Sequence, residues 1–110
     1  DEKFIVGITK IIEDNIANTE FNVDILAAKL NISRSTLYRR TLETINMTPI
    51  DMIRNIRMKR AASLLELTDK TVAEISEMVG YAEQRYFGRC FKKEYGTTPK
   101  QYAKSKKEGR

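Results

Sequence analysis

The stretch TVAEISEMVGYAEQRYFGRCFKKEYGTTP, residues 71–99, decides how this chain is read. Thr71 and Glu74 stand three apart at the head of an apolar-periodic run, the spacing of a capping box. A helix is therefore predicted from Val72, and Gly80 stops it, being the residue type that accepts the left-handed conformation past a helix end. A second helix is predicted from about Gln84 to Tyr95, with Phe87 and Phe91 four apart on its inner side and Gly96 at its close. Thr98-Pro99 then announces another helix, a capping hydroxyl followed by proline at the first helical position. Gln101 completes a second capping box. Ser76, four residues before Gly80, is small enough for the second helix to cross closely over the first. Short helix, tight turn, longer helix is the pattern of a helix-turn-helix. One such match is weak, because any helical hairpin with a glycine turn imitates it.

The chain contains a copy of this pattern. Val23, Leu26, Leu30, Asn31 and Ile32 match Val72, Ile75, Val79, Gly80 and Tyr81 at an offset of 49. Beyond the turn the offset becomes 50. Leu37 matches Phe87, Arg39 matches Arg89, Asn46 matches Gly96, and Thr48-Pro49 matches Thr98-Pro99. Ala27 is the small residue before the turn at Asn31. In this first copy Asn22 is a good N-cap, with Phe21 and Leu26 at hydrophobic-staple spacing. Ser33 caps the next helix, with Ile32 and Leu37 as a second staple. The helices so predicted run from after Asn22 to near Leu30 and from Ser33 to about Ile45. Two matched copies, each ending in a basic helix, are much more specific than one.

Outside the copies, Phe4, Ile8, Ile11, Ile12 and Ile16 fall at helical spacing and predict a first helix over about 2–17. A long helix over 49–67 joins the copies. On a helical wheel at about 100° per residue, Met52, Ile53 and Ile56 fall on one side, and Met58, Ala61, Ala62 and Leu65 on the other. A helix in a single core would keep one stripe, so this one reads as a connector; Leu64 and Leu67 lie near the first stripe and blur the pattern. The polar tail Lys104–Arg110 is expected to fray. The predicted fold is all-α, a seven-helix domain with two helix-turn-helix subdomains joined by a long connecting helix. Its parts are 1–48, 49–67 and 68–110.

Composition narrows the function. The 110 residues are 41% hydrophobic and 32% charged, with net charge +5 and a pI near 9.4. Charge is distributed in alternating blocks, net −3 over 1–33, +4 over 34–67, −2 over 68–82 and +6 over 83–110. Two basic blocks suggest a polyanion partner, most often nucleic acid; a solvated surface with uneven lysines reads the same way from charge alone. There is no histidine and one cysteine, which removes the commonest general base and nearly excludes a zinc site. With no phosphate-cradling glycine loop and no nucleophile beside a base, no catalytic, cofactor-binding or metal-binding residue is expected. No apolar run approaches the roughly 20 residues of a membrane span. No secretory signal is visible, and the lone cysteine points to a reducing cytoplasm. The basic helices carry inward Phe and Leu stripes rather than a free apolar face, which disfavours a membrane-surface role. The rival reading is a helical protein-interaction module within a signalling protein, whose binding would depend weakly on salt.

The segment from about Phe21 to Tyr102 resembles the DNA-binding domain of AraC/XylS-type transcription regulators. The resemblance rests on Ser33-Arg34-Ser35-Thr36-Leu37-Tyr38-Arg39 and on Ile56-Arg57-Met58-Lys59-Arg60-Ala61-Ala62 in the connector. It rests most on Val72 to Tyr81, Tyr86 to Gly96 and Thr98-Pro99 of the second copy. The opening, Asp1 to Asn22, is similar to the stretch preceding this domain in hybrid two-component regulators. The resemblance implies seven helices, two helix-turn-helix units and a connecting helix. It also implies activation through RNA polymerase and control of nutrient-uptake genes. Regulation is expected from elsewhere, through a sensor portion, phosphorylation upstream, or dimerisation of the full-length protein through other domains. Two residues depart from the family pattern. Thr41 stands where a bulky apolar residue is usual, with Leu42 beside it, and Asn46 replaces a glycine. Thr41 leaves room for the first recognition helix to pack less tightly or to rotate.

With Leu37 inward in the first recognition helix, Arg34, Ser35, Tyr38 and Arg39 are left outward. With Phe87 and Phe91 inward in the second, Gln84, Arg85, Gly88 and Arg89 are left outward. A recognition helix enters the major groove by its N-terminal part, so Arg34, Ser35, Tyr38, Arg39, Gln84, Arg85 and Arg89 are the expected base contacts with double-stranded DNA. Arg39 and Arg89 suit guanine O6 and N7, and Gln84 an adenine edge. The family uses the same face of each recognition helix. Arg40, Lys92 and Lys93 suit phosphates. Arg54, Arg57, Lys59 and Arg60 suit the same role, although a connector needs a soluble face in any case. Cys90 reads as core. The connector, about 19 residues at 1.5 Å each, spans about 28 Å, against about 34 Å between adjacent major-groove segments on one DNA face. A bipartite, non-palindromic site is expected.

Overall fold

The computed structural model describes residues 2–109. Among these lie seven helices and no strand: α1 (Glu2–Asp14), α2 (Val23–Leu30), α3 (Arg34–Ile45), α4 (Pro49–Leu67), α5 (Val72–Met78), α6 (Gln84–Tyr95) and α7 (Pro99–Glu108). The chain divides into two compact units. One takes the chain up to Ile16 and Glu20–Ile56; the other takes Ala17–Thr19 and everything from Arg57 onward.

The first unit closes around Ile8, Ile12, Phe21, Leu26, Leu37, Met52 and Ile53. Both expected staples contribute to this core, since Phe21 and Leu26 are buried and Ile32 packs against them with Leu37. Helix α1 ends three residues before its predicted close. There the Asn15 amide turns back to donate to the Ile11 carbonyl at 2.7 Å, and Ile16 remains buried beyond the helix end. The Asn22 side chain accepts from the Ile25 N–H at 2.9 Å, and the Ser33 hydroxyl from the Thr36 N–H at 3.1 Å. Each satisfies one of the donors a helix start leaves without a partner.

The second unit is built around Met58, Leu65, Ile75, Val79, Phe87 and Phe91. Phe91 stands at its centre, with ring centroids 6.0 Å from Phe87, 4.6 Å from Tyr95 and 5.3 Å from Tyr102. Such aromatic pairs contribute roughly 0.5–1.5 kcal/mol each beyond the area they bury. The capping boxes at Thr71–Glu74 and Thr98–Gln101 are both formed. The tail does not fray through the described residues: α7 continues to Glu108. There Lys107 pairs with Asp69 at 3.4 Å and Lys106 lies over the Tyr102 ring at 5.3 Å.

The two helix-turn-helix turns share one hydrogen-bond pattern. Ile32 N–H donates to the Ala27 carbonyl at 3.1 Å, and Tyr81 N–H to the Ser76 carbonyl at 2.9 Å. Asn31 sits at φ 57° and Gly80 at φ 88°, which is the left-handed conformation both residue types tolerate. Ala27 and Ser76 are buried where the next helix crosses. Helix α4 serves both cores as the wheel predicts. Met52 and Ile53 belong to the first, and Met58, Ala61, Ala62 and Leu65 to the second. Leu64 packs against the second core and Leu67 is exposed, so neither interrupts the division.

Candidate nucleic-acid interface

Helices α3 and α6 are 12 residues each and meet their cores through equivalent positions. Leu37 and Phe87 are fully buried, and so are Thr41 and Phe91 one turn later. Thr41 therefore occupies the site of the bulky residue and does not rotate the helix. Its hydroxyl donates to the Tyr38 carbonyl at 3.3 Å, satisfying the buried oxygen, while Leu42 faces outward. Asn46 takes φ 53°, as Gly96 takes φ 76°, and each donates its N–H to the carbonyl four residues back.

In the first unit Arg34, Ser35 and Arg39 are exposed and Tyr38 is half-exposed. Arg34 is bound twice over. Its Nη1 pairs with Asp24 of α2 at 2.8 Å, and its Nη2 donates to the Tyr38 hydroxyl at 3.3 Å, with the guanidinium 5.3 Å from the Tyr38 ring. The Asp24 hydrogen bond, with a smaller contribution from Tyr38, raises the Arg34 pKa above its ordinary value. Arg39 lies 3.7 Å from Glu43 one turn on. The Ser35 hydroxyl rests 3.3 Å from the capping oxygen of Ser33. Arg40 is not gathered with these residues. Its guanidinium stacks on the Phe4 ring of α1 at 3.6 Å.

The second unit presents a shallow concavity with Gln84, Arg85, Gly88, Arg89 and Lys92 along one wall. Val72 of α5 and Thr98, Pro99 and Lys100 at the start of α7 form the other. Lys93 follows Arg89 by one turn and is exposed. Gly88 meets nothing within 4 Å of where a Cβ would stand, so the wall is open at its middle. Arg89 lies over the Tyr86 ring at 5.7 Å. The N-cap of α6, Glu83, makes no side-chain cap hydrogen bond, unlike the N-caps of α2, α3, α5 and α7.

Sequence reasoning missed Lys100. The capping box marked where α7 starts, but not that this start closes over the α6 face. Arg57 is corrected in the other direction. It is 9% exposed, its Nη2 donates to the Asn18 carbonyl at 2.9 Å, and its guanidinium stands 5.8 Å from the Tyr81 ring. Burial lowers its pKa, opposed by Tyr81. It tethers the segment after α1. Arg54 is ion-paired with Asp51. Cys90 is partly buried and packs against the second core.

A family model described as a helix-turn-helix domain matches residues 26–105. The C-terminal domain of the two-component response regulator yesN from Fusobacterium nucleatum subsp. nucleatum is 33% identical. Its structure superposes with a TM-score of 0.86 over 92% of this chain and 98% of that one. The chain belongs to the AraC-type helix-turn-helix family. An AraC-type fold also accounts for the match to the DNA-binding domain of AdpA, solved in complex with a target DNA. That match has a TM-score of 0.88 and 24% identity, over 96% of this chain and 94% of that one. Histidine kinase P4 of Formosa agariphila is 41% identical over 102 residues, 93% of this AraC-type chain and 7% of that protein. The chain spans between 7% and 36% of the length of the first curated relatives it matches. No helix among the described residues is long and apolar enough to cross a membrane.

Proposed function

We propose that this domain reads double-stranded DNA through α3 and α6, each in a major groove, at a bipartite and non-palindromic site. The observation that carries this reading is the concave face of α6. Gln84, Arg85 and Arg89 stand along the N-terminal half of the helix, with Lys92 and Lys100 beside them. Hydrogen-bonding groups over open backbone at Gly88 suit base edges, and the flanking cations suit phosphates. In α3 the equivalent contacts are Arg34, Ser35, Tyr38 and Arg39. Lys92 and Lys93 are assigned to phosphates, and Arg40 to packing on Phe4.

Matches to a response-regulator domain and to a histidine kinase support a further reading. The domain is the output end of a two-component protein in the cytoplasm, dimeric through its other domains and activating transcription by contact with RNA polymerase. Selection of binding sites from random duplex DNA by the purified domain at moderate salt tests the central claim. A two-part enriched motif with elements about one helical turn apart is expected. One short continuous element would reject the two-groove arrangement. No retention at low salt would reject DNA binding and favour a protein-docking module.

A further inference from the structure

The two reading faces differ in one respect that the repeat makes exact enough to compare. In the first unit both arginines of the face are held by carboxylates, Arg34 by Asp24 at 2.8 Å and Arg39 by Glu43 at 3.7 Å. In the second unit the position of Asp24 is Ala73, that of Arg34 is Gln84 and that of Glu43 is Lys93, while Arg39 keeps its counterpart Arg89. Among the described residues no carboxylate pairs with Arg85, Arg89, Lys92 or Lys93.

We propose that Asp24 is a specificity gate, holding Arg34 in the DNA-free first unit and yielding it only to base edges that bind it more strongly. The proposal rests on the DNA-reading function above. Specificity is a difference between two affinities, and it is raised as effectively by weakening the wrong complex as by strengthening the right one. On random DNA Arg34 would gain only a phosphate, a contact that carries no sequence information. Asp24 already supplies that much. On the correct duplex Arg34 gains two aligned hydrogen bonds to a guanine, a stronger contact than an exposed ion pair. Asp24 comes from α2, across the turn, so the gate is fixed by the core that joins the two helices. Tyr38 steadies Arg34 from the other side. Non-specific affinity then resides in the second unit, and the first discriminates.

The test is fluorescence anisotropy with the enriched duplex and a scrambled duplex, over a series of salt concentrations. The proteins are the wild type, Asp24→Asn, Arg34→Gln (the residue the second unit carries there) and the double variant. Asn preserves the shape of an exposed residue, and circular dichroism checks each fold. Asp24→Asn is expected to tighten binding to scrambled DNA about two- to fivefold, to tighten the enriched duplex less, and so to lower the specificity ratio. Its salt slope on scrambled DNA should steepen by up to about one unit, as one more cation meets phosphate. With Gln at position 34 the gain should disappear. An unchanged scrambled affinity, an equal gain on both duplexes, or a gain that survives Arg34→Gln would overturn the gate. A wild type that binds no duplex at low salt would overturn the DNA reading itself, which separates that failure from this one.

Discussion

Replacing Lys100 by Gln isolates the contribution that sequence reasoning did not foresee. Lys100 stands at the second position of α7 and faces Arg85, Arg89 and Lys92 across the concavity. Gln keeps the length and helix tendency of the side chain and removes its charge. If Lys92, Lys93 and Lys100 each neutralise one phosphate, the salt slope from these contacts is about −2.7, and affinity falls about 40-fold between 50 and 200 mM salt. Without Lys100 the slope is about −1.8 and the fall about 12-fold. The deficit of the variant should therefore shrink about 3.5-fold over that range, and it should be the same on the enriched and the scrambled duplex. Anisotropy titrations at four salt concentrations resolve such a change. An unaltered slope in a variant that melts like the wild type would show that the start of α7 does not touch the backbone. The α6 face would then have to approach DNA at a different tilt.

Arg89→Ala is expected to lose roughly 1–3 kcal/mol at one base position and to relax preference there; equal losses on all sequences would make Arg89 a phosphate contact instead. Phe91→Ala should cost about 3–5 kcal/mol, because the ring is fully buried among Phe87, Tyr95 and Tyr102. Hydrogen exchange should show protection lost first in α5–α7, and uniform loss across the chain would refute independent cores. Arg40→Ala should lower stability by about 0.5–2 kcal/mol through loss of the stack on Phe4 and leave the salt slope unmoved; a slope shallower by one unit would restore it to the phosphate contacts. Glu74 has its pKa lowered from 4.5 by hydrogen bonds from the Thr71 backbone and side chain. A depressed folded value means that its stabilisation is present above about pH 4.5 and lost as pH falls through that folded value. Glu74→Gln keeps the acceptor but not the charge, so its thermal midpoint should converge on the wild type in acid, and a gap independent of pH would refute the assignment.

What was legible in the sequence was whatever local chemistry determines. Caps at Asn22, Ser33, Thr71 and Thr98, left-handed turns at Asn31 and Gly80, and the paired staples depend on residues a few positions apart. All of them formed as read. Even the connector was legible, because two stripes on opposite sides of one helix have no other economical packing. Three features were not. Helix α1 closes early through Asn15 back-bonding, a choice between helix and turn that propensity does not settle. The tail is held by Asp69, 38 positions away in sequence from Lys107. Arg57 is buried because the segment after α1 folds back to present the Asn18 carbonyl. The last two depend on partners distant in sequence, which no periodicity encodes; the first is local, a competition between two nearby backbone states.

Arg40 aligns with Cys90, and Cys90 reads as core, so Arg40 stands at a position that flanks the core in both units. The same comparison sorts the other positions. Inward pairs keep their class or at least their burial: Leu37 with Phe87, Thr41 with Phe91, Ala27 with Ser76. Outward pairs diverge in chemistry: Asp24 with Ala73, Arg34 with Gln84, Ser35 with Arg85, Tyr38 with Gly88, Glu43 with Lys93. Arg39 and Arg89 alone persist on the face. Packing constrains the first group in the same way in each unit, while the second group meets whatever each unit binds. Two faces that share one arginine and differ elsewhere will prefer half-sites that share about one base pair and differ at the rest. A selected motif with two identical halves would contradict this, because the same bases would then be read by Gln84 in one unit and by an Asp24-held Arg34 in the other.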